Sequence, residues 1–216
     1  MVSFFLYSLL IIACLVVYQL NKQSLPSYLQ YIQILLAIAL VFEVSAEILR
    51  HYNINHYFLD HLYQPIELVL LSTVYYHAID NKSVRKTIKL IVLLYVFASI
   101  ILSVWVEGIA NPNTGSFIIG STLIIFYSIL YKYQLFTLPP TKESLLVNPF
   151  FWINTANLFF YCGTFFQMGL DSYIRKENAT LADQLHVINH GLNYTLYILY
   201  LTGFLCKRIF KSYSSL

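Results

Sequence analysis

The chain has 216 residues, of which 58% are hydrophobic and only 11% charged, with a formal net charge of +3. A soluble domain carries about 25% charged residues, so this composition cannot clothe a water-facing surface. It excludes a soluble enzyme, a nucleic-acid-binding domain, a disordered protein and a disulfide scaffold. Seven spans of about 20 residues each would use roughly two-thirds of the chain. That predicts one all-α domain over residues 1–216, a polytopic integral membrane protein with seven transmembrane helices.

The first apolar segment is Ser3–Leu20. No basic stretch precedes it and no small-x-small cleavage site follows, so it reads as a span and not as a signal peptide. A turn at Asn21-Lys22-Gln23-Ser24-Leu25-Pro26 leads to the second segment, Tyr28–Leu49. Glu43 and Glu47 lie near its end, four residues apart and on one face, followed by Arg50 and His51. The third segment, Tyr57–Ile79, carries His56, Asp60, Tyr63, Gln64 and Glu67 as one stripe at helical spacing, with His61 off the stripe. Glu67 lies ten residues past Tyr57, about 15 Å deep at 1.5 Å per residue. Pro65 removes a backbone donor and frees a carbonyl one turn earlier, which should loosen the helix there.

Asp80-Asn81-Lys82-Ser83 introduces the fourth segment, Ile88–Val106, which ends at Glu107. Asn111-Pro112-Asn113-Thr114-Gly115 opens the fifth, Phe117–Phe136. Pro139-Pro140 and Asn148-Pro149 precede the sixth, Phe150–Leu170, where Asn154, Asn157 and Tyr161 form a stripe and Gln167 lies further along. The pattern Thr180-Leu-Ala-Asp183 resembles a capping box opening the seventh segment, His186–Ile209. There His186, Asn189, His190, Asn193, Tyr197 and Tyr200 fall within about 100° of one another.

Charge predicts the orientation. The connections after segments one, three, five and seven hold Lys22, Lys82, Arg85, Lys86, Lys89, Lys132, Lys142, Lys207, Arg208 and Lys211; the other side holds only Arg50, Arg175 and Lys176. Ten basic residues against three place the first set in the cytoplasm, the N-terminus outside and the C-terminus inside. The basic residues are then topology signals suited to anionic headgroups, and no nucleic-acid partner is implied. Many of the 19 tyrosines flank the spans, as in an aromatic belt. Cys14, Cys162 and Cys206 show neither disulfide nor metal spacing.

The scarce acids gather instead toward the outer half. An acid at the bilayer centre costs about 2.5–3.5 kcal/mol, so Glu67 should face the bundle interior. The candidate ligand-binding residues are Glu43, Glu47, Gln64, Glu67, Asn189 and Asn193. A plainer reading makes Glu43, Glu47 and Arg50 an interfacial ion-pair cluster, and the asparagines interhelical hydrogen-bonding groups. His186-x-x-x-His190 puts two imidazoles one turn apart, and with Asp60 and His61 they are candidate ligands for a metal such as zinc. In that case Asp60 or Glu67 would serve as the catalytic base for a metal-activated water.

The placement of Glu43-x-x-x-Glu47, Asp60 and His186-x-x-x-His190 resembles the alkaline ceramidase and adiponectin-receptor group of seven-helix zinc hydrolases. The resemblance implies a lipid amide or ester substrate, with Asp60, His186 and His190 in the positions of the acid and two zinc ligands. It departs from that group where a Ser-x-x-x-His is replaced by Glu43-x-x-x-Glu47. A second pattern, Phe150-Phe-Trp152-Ile-Asn-x-x-x-Leu158-Phe-Phe-Tyr161 with His186-x-x-Asn189-x-x-x-Asn193, resembles multi-span membrane proteins of Bacteroidota that are often encoded beside sensor histidine kinases. It implies a signal-input or accessory role in a bacterial cytoplasmic (inner) membrane. Three functions follow as expectations: a ligand- or ion-binding sensory component acting through a membrane or cytoplasmic signalling partner, a metal-dependent lipid hydrolase, and a structural subunit of a membrane complex. The stretch after Lys207 is too short to carry an effector, so signalling would require the partner.

Overall fold

A computed structural model describes residues 2–137, 144–177 and 179–210; the side chains at 2–4, 170–173, 175–177 and 179–186 lie outside the description. Every regular element among these residues is helical. Seven long helices run in chain order: α1 (Val2–Asn21), α2 (Gln30–His51), α3 (Tyr57–Ala78), α4 (Lys82–Ile101), α5 (Thr114–Thr137), α6 (Pro149–Glu177) and α7 (Ala179–Ile209). Their starts follow capping chemistry. The Asn81 side chain accepts from the Ser83 and Val84 amides ahead of α4. Pro149 occupies the first turn of α6, where its missing N–H costs nothing, and the Asn148 side chain accepts from Phe150 N at 3.0 Å.

Each helix packs on its neighbours in sequence, and α7 returns to α1, so the bundle closes into a ring. In that ring α3 packs directly on α5, and α4 sits outside the pair. Accordingly α4 buries only Ile88, Tyr95 and Ser99, while Leu90, Leu93, Leu94, Phe97 and Ile100 are exposed. Such an outward apolar face suits a lipid bilayer and not water. Among the described residues four stretches are long and apolar enough to cross a membrane: Phe5–Ser24, Ser27–His51, Lys82–Glu107 and Thr114–Thr137. The remaining helices, α3, α6 and α7, carry more polar residues, and these turn inward; Asn154 and Asn157 are 0% exposed.

Several expected boundaries move. The basic residues Lys82, Arg85, Lys86 and Lys89 lie in the first two turns of α4 and not in a loop. Beyond Ile101 the chain continues as a π-helical segment, Leu102–Glu107, which stops at Gly108 with φ +77, a left-handed conformation that glycine adopts without a Cβ penalty. Both α6 and α7 outrun the expected Phe150–Leu170 and His186–Ile209. Residues 180–183, expected to cap α7 from outside, lie within it. Good helix formers such as Glu177, Ala179, Leu181 and Ala182 continue the helices past the apolar segments. At 29 and 31 residues the two helices span about 43 and 46 Å, against a hydrocarbon core of about 30 Å. The helix α3 runs unbroken through Pro65.

The most extensive helix pair is α6 with α7. It depends on close backbone approach, because a Cβ at Gly203 would stand 2.9 Å from the Pro149 carbonyl oxygen. Replacing Gly203 with alanine should therefore cost about 1–3 kcal/mol by overpacking. Gly191→Ala, where a Cβ meets nothing within 4 Å, should be neutral or mildly stabilising. Thermal melting of the two purified variants in detergent separates these outcomes.

Candidate functional site

The ring is not filled. Helices α2, α3, α5, α6 and α7 surround an inner chamber of about 110 Å³, lined by Leu36, Glu43, Tyr63, Gln64, Glu67, Phe117, Tyr161, Asn193, Tyr197 and Tyr200 among others. A second, outer chamber of about 200 Å³ lies toward the 52–56 loop, lined by Phe42, Glu43, Ala46, Arg50, His56, Leu59, Asp60 and Tyr63 among others. The two share Ala39, Glu43 and Tyr63 as a common wall.

Helical spacing on α3 explains the inner wall, since Tyr63, Gln64 and Glu67 recur at three- and four-residue steps and so face one way. The Tyr63 hydroxyl donates to Glu67 Oε1 at 3.2 Å, and the Tyr161 phenol neighbours the same carboxyl. The Tyr7 phenol of α1 neighbours Glu43. Glu43 lies within electrostatic reach of Glu67. Among the described residues no basic side chain lines the inner chamber. Arg50, the guanidinium nearest Glu43, lines the outer chamber and is paired to Glu47 at 2.8 Å.

A hydrogen-bond network leads away from the chamber. Tyr200 donates to Asn157 Oδ1. Asn157 Nδ2 donates to Tyr75 Oη at 3.3 Å, and Tyr75 donates to Asn154 Oδ1 at 2.9 Å. With its one proton used there, Tyr75 Oη accepts from Ser128 Oγ at 2.7 Å. Asn154 Nδ2 then donates to the Ser128 carbonyl at 3.2 Å. One phenol thus joins α3, α5 and α6.

The opposite end is tied by backbone-directed bonds. His61 Nε2 lies 2.9 Å from the Asn111 carbonyl oxygen, which can only accept, so that nitrogen is protonated and Nδ1 accepts from Ser103 Oγ at 2.8 Å. Glu107 Oε1 accepts from Gly115 N at 2.6 Å and caps α5 with negative charge at its positive end. Asn55 Nδ2 donates to the Ala110 carbonyl at 2.8 Å.

The expected site residues divide accordingly. Glu43, Gln64, Glu67 and Asn193 come together around the inner chamber. Glu47 does not line either chamber; it lies in the exposed ion pair with Arg50. Asn189 is turned to its own helix, accepting from Asn193 Nδ2 through its side chain at 3.2 Å. Asp60 is exposed on the outer chamber, and His190 is exposed on α7. His61 has both ring nitrogens occupied. The side chain of His186 lies outside the described residues. Among the described residues no three His, Cys, Asp or Glu side chains gather in a metal-binding group. With both ring nitrogens bonded, His61 offers no free nitrogen to a metal in this arrangement. No family model, no curated protein and no solved structure matches this chain.

Sequence reasoning missed Tyr7, Tyr75 and Ser128. Tyr75 was within reach, since extending the α3 stripe from Glu67 by four residues passes Leu71 and by eight arrives at Tyr75. Its interruption by an apolar residue hid it.

Two variants should separate the core network from the rim. Tyr75→Phe leaves an asparagine donor and an asparagine acceptor unmet in a dry interior and should cost about 1–3 kcal/mol. Glu47→Gln breaks an exposed ion pair and should cost no more than about 1 kcal/mol. Denaturant titration of each protein in mixed micelles gives both values.

Proposed function

We propose that this protein is a seven-span membrane receptor of the bacterial cytoplasmic membrane. Its polar chambers open to the outside, bind a small ligand or ion, and report occupancy to a membrane or cytoplasmic signalling partner. The observation that carries this reading is the inner chamber itself. Two carboxyls, two amides and four tyrosines surround an unfilled space in the middle of a bundle whose outer faces are apolar. Intramembrane ionisable groups mark ligand or ion sites by default.

The orientation is supported by the bias of basic residues. Lys207 Nζ reaches the Ser24 carbonyl at 2.6 Å, and Gln134 accepts from Asp80 N at 2.8 Å. The basic connections after α1 and α7 thus meet each other, and the ends of α3 and α5 do likewise. With those ends in the cytoplasm, Arg50, His56 and Asp60 ring the external mouth of the outer chamber. The network from Tyr200 to Ser128 runs from the chamber toward the inner half, where a partner would read it. The apolar, tyrosine-flanked exterior leaves α4 as the helix with most surface free for lipid or for such a partner.

Cysteine accessibility tests the reading. In a background with Cys14, Cys162 and Cys206 replaced by serine or alanine, Asp60→Cys should react with a membrane-impermeant maleimide added to right-side-out vesicles. Lys86→Cys should react only after permeabilisation. The reverse pattern overturns the outward-facing pocket.

A further inference from the structure

We infer that the ligand of the inner chamber is a small primary ammonium ion, held through its three N–H groups by Glu43, Glu67 and Tyr197. The inference rests on the pocket reading above and names what enters it.

The first argument is hydrogen-bond polarity. Among the described residues the inner chamber is lined by the carboxyls of Glu43 and Glu67 and by no basic side chain. Arg50 is already engaged by Glu47 on the outer side. An occupant that brings donors and positive charge therefore matches the walls, and an anionic occupant finds no cation there to pair with.

The second argument is independent of the acids. Tyr197 is 7% exposed and lines the chamber, and among the described residues its hydroxyl has no hydrogen-bond partner. Two neighbouring phenols are engaged: Tyr63 donates to Glu67 and Tyr200 to Asn157. Tyr197 lies within the electrostatic reach of both Glu43 and Glu67. A third N–H from the ammonium supplies its hydroxyl with a partner. The ring of Tyr197 is held in place by stacking on Tyr7, with centroids 6.3 Å apart and planes at 8°.

Size and ring content narrow the class. At about 110 Å³ the chamber is smaller than the ~150 Å³ cavity that admits benzene, so it takes an ammonium group with a short alkyl tail. The phenol rings along the wall, Tyr63, Tyr161 and Tyr197, suit a cation better than a neutral polar group. A quaternary ammonium has no N–H to give Tyr197.

Calorimetric titration of the full chain in lipid nanodiscs tests the inference, with n-propylammonium, n-propanol, propionate, tetramethylammonium and sodium as chloride or sodium salts. Saturable binding is expected for n-propylammonium, with n-propanol at least about tenfold weaker. Glu67→Gln and Tyr197→Phe should each weaken the amine by about tenfold or more. Tyr197→Phe keeps the ring, so a folded, monodisperse variant is expected even if Glu67→Gln misfolds. Absence of saturable amine binding overturns the inference. So does equal binding of n-propanol, propionate or sodium, or wild-type affinity in Tyr197→Phe. If external labelling at position 60 holds while propionate or n-propanol is the species bound, the pocket reading stands and the ammonium falls. Reversed labelling removes the pocket's outward face whichever probe binds.

Discussion

Hydrocarbon supplies no hydrogen bonds, and every polar group in this bundle must find its partner on another helix or face a space that something else fills. The stripe on α3 makes this constraint acute. Gln64, Glu67 and Tyr75 recur along one face, so α3 cannot turn any part of that face to lipid. Ring closure around it, from α1 through α7 and back, is the arrangement that keeps the whole stripe inside. The placement of α4 follows from the same constraint. It carries almost no inward polar residues and is the helix the ring can leave at its edge.

Along the stripe the protein treats polarity in two ways. Near Tyr75 the bonds interlock, and Ser128, Asn154, Asn157 and Tyr200 use the phenol and one another. A closed network of this kind is rigid, and it specifies one packing of α3, α5, α6 and α7. Near Glu67 the bonds are left open. The carboxyls receive tyrosine donors, but Tyr197 has none and the helices stand apart. Filling that space with leucine would give a tighter core. Its persistence beside an interlocked network is what the proposed binding role accounts for.

The helical architecture was largely legible from residue spacing, because long apolar segments and turn residues report on different properties of a helical bundle. Helix ends were not. Beyond the apolar segments of α6 and α7, helix propensity decides the length. The stripe positions Glu43, Gln64, Glu67 and Asn193 could be read because period 3.6 survives in the sequence. The fates of His61 and Glu47 could not. Each depends on what lies across a loop or one turn away: the Ser103 hydroxyl and Asn111 carbonyl for one, Arg50 for the other. A histidine pair at ligand spacing says nothing about whether a third donor faces it, and His190 is exposed and lines neither chamber.

Tyr200 stands where the two treatments meet, lining the chamber while donating to Asn157. A phenol has one proton to give. An occupant that accepts hydrogen bonds would compete for it, release Asn157, and through Asn157 disturb the hold on Tyr75. An occupant that only donates can lodge against the same oxygen and leave that proton where it is. The junction is therefore a selector of hydrogen-bond direction: donors enter with the interior intact, and acceptors enter only by undoing the contact that joins the chamber to the rest of the bundle.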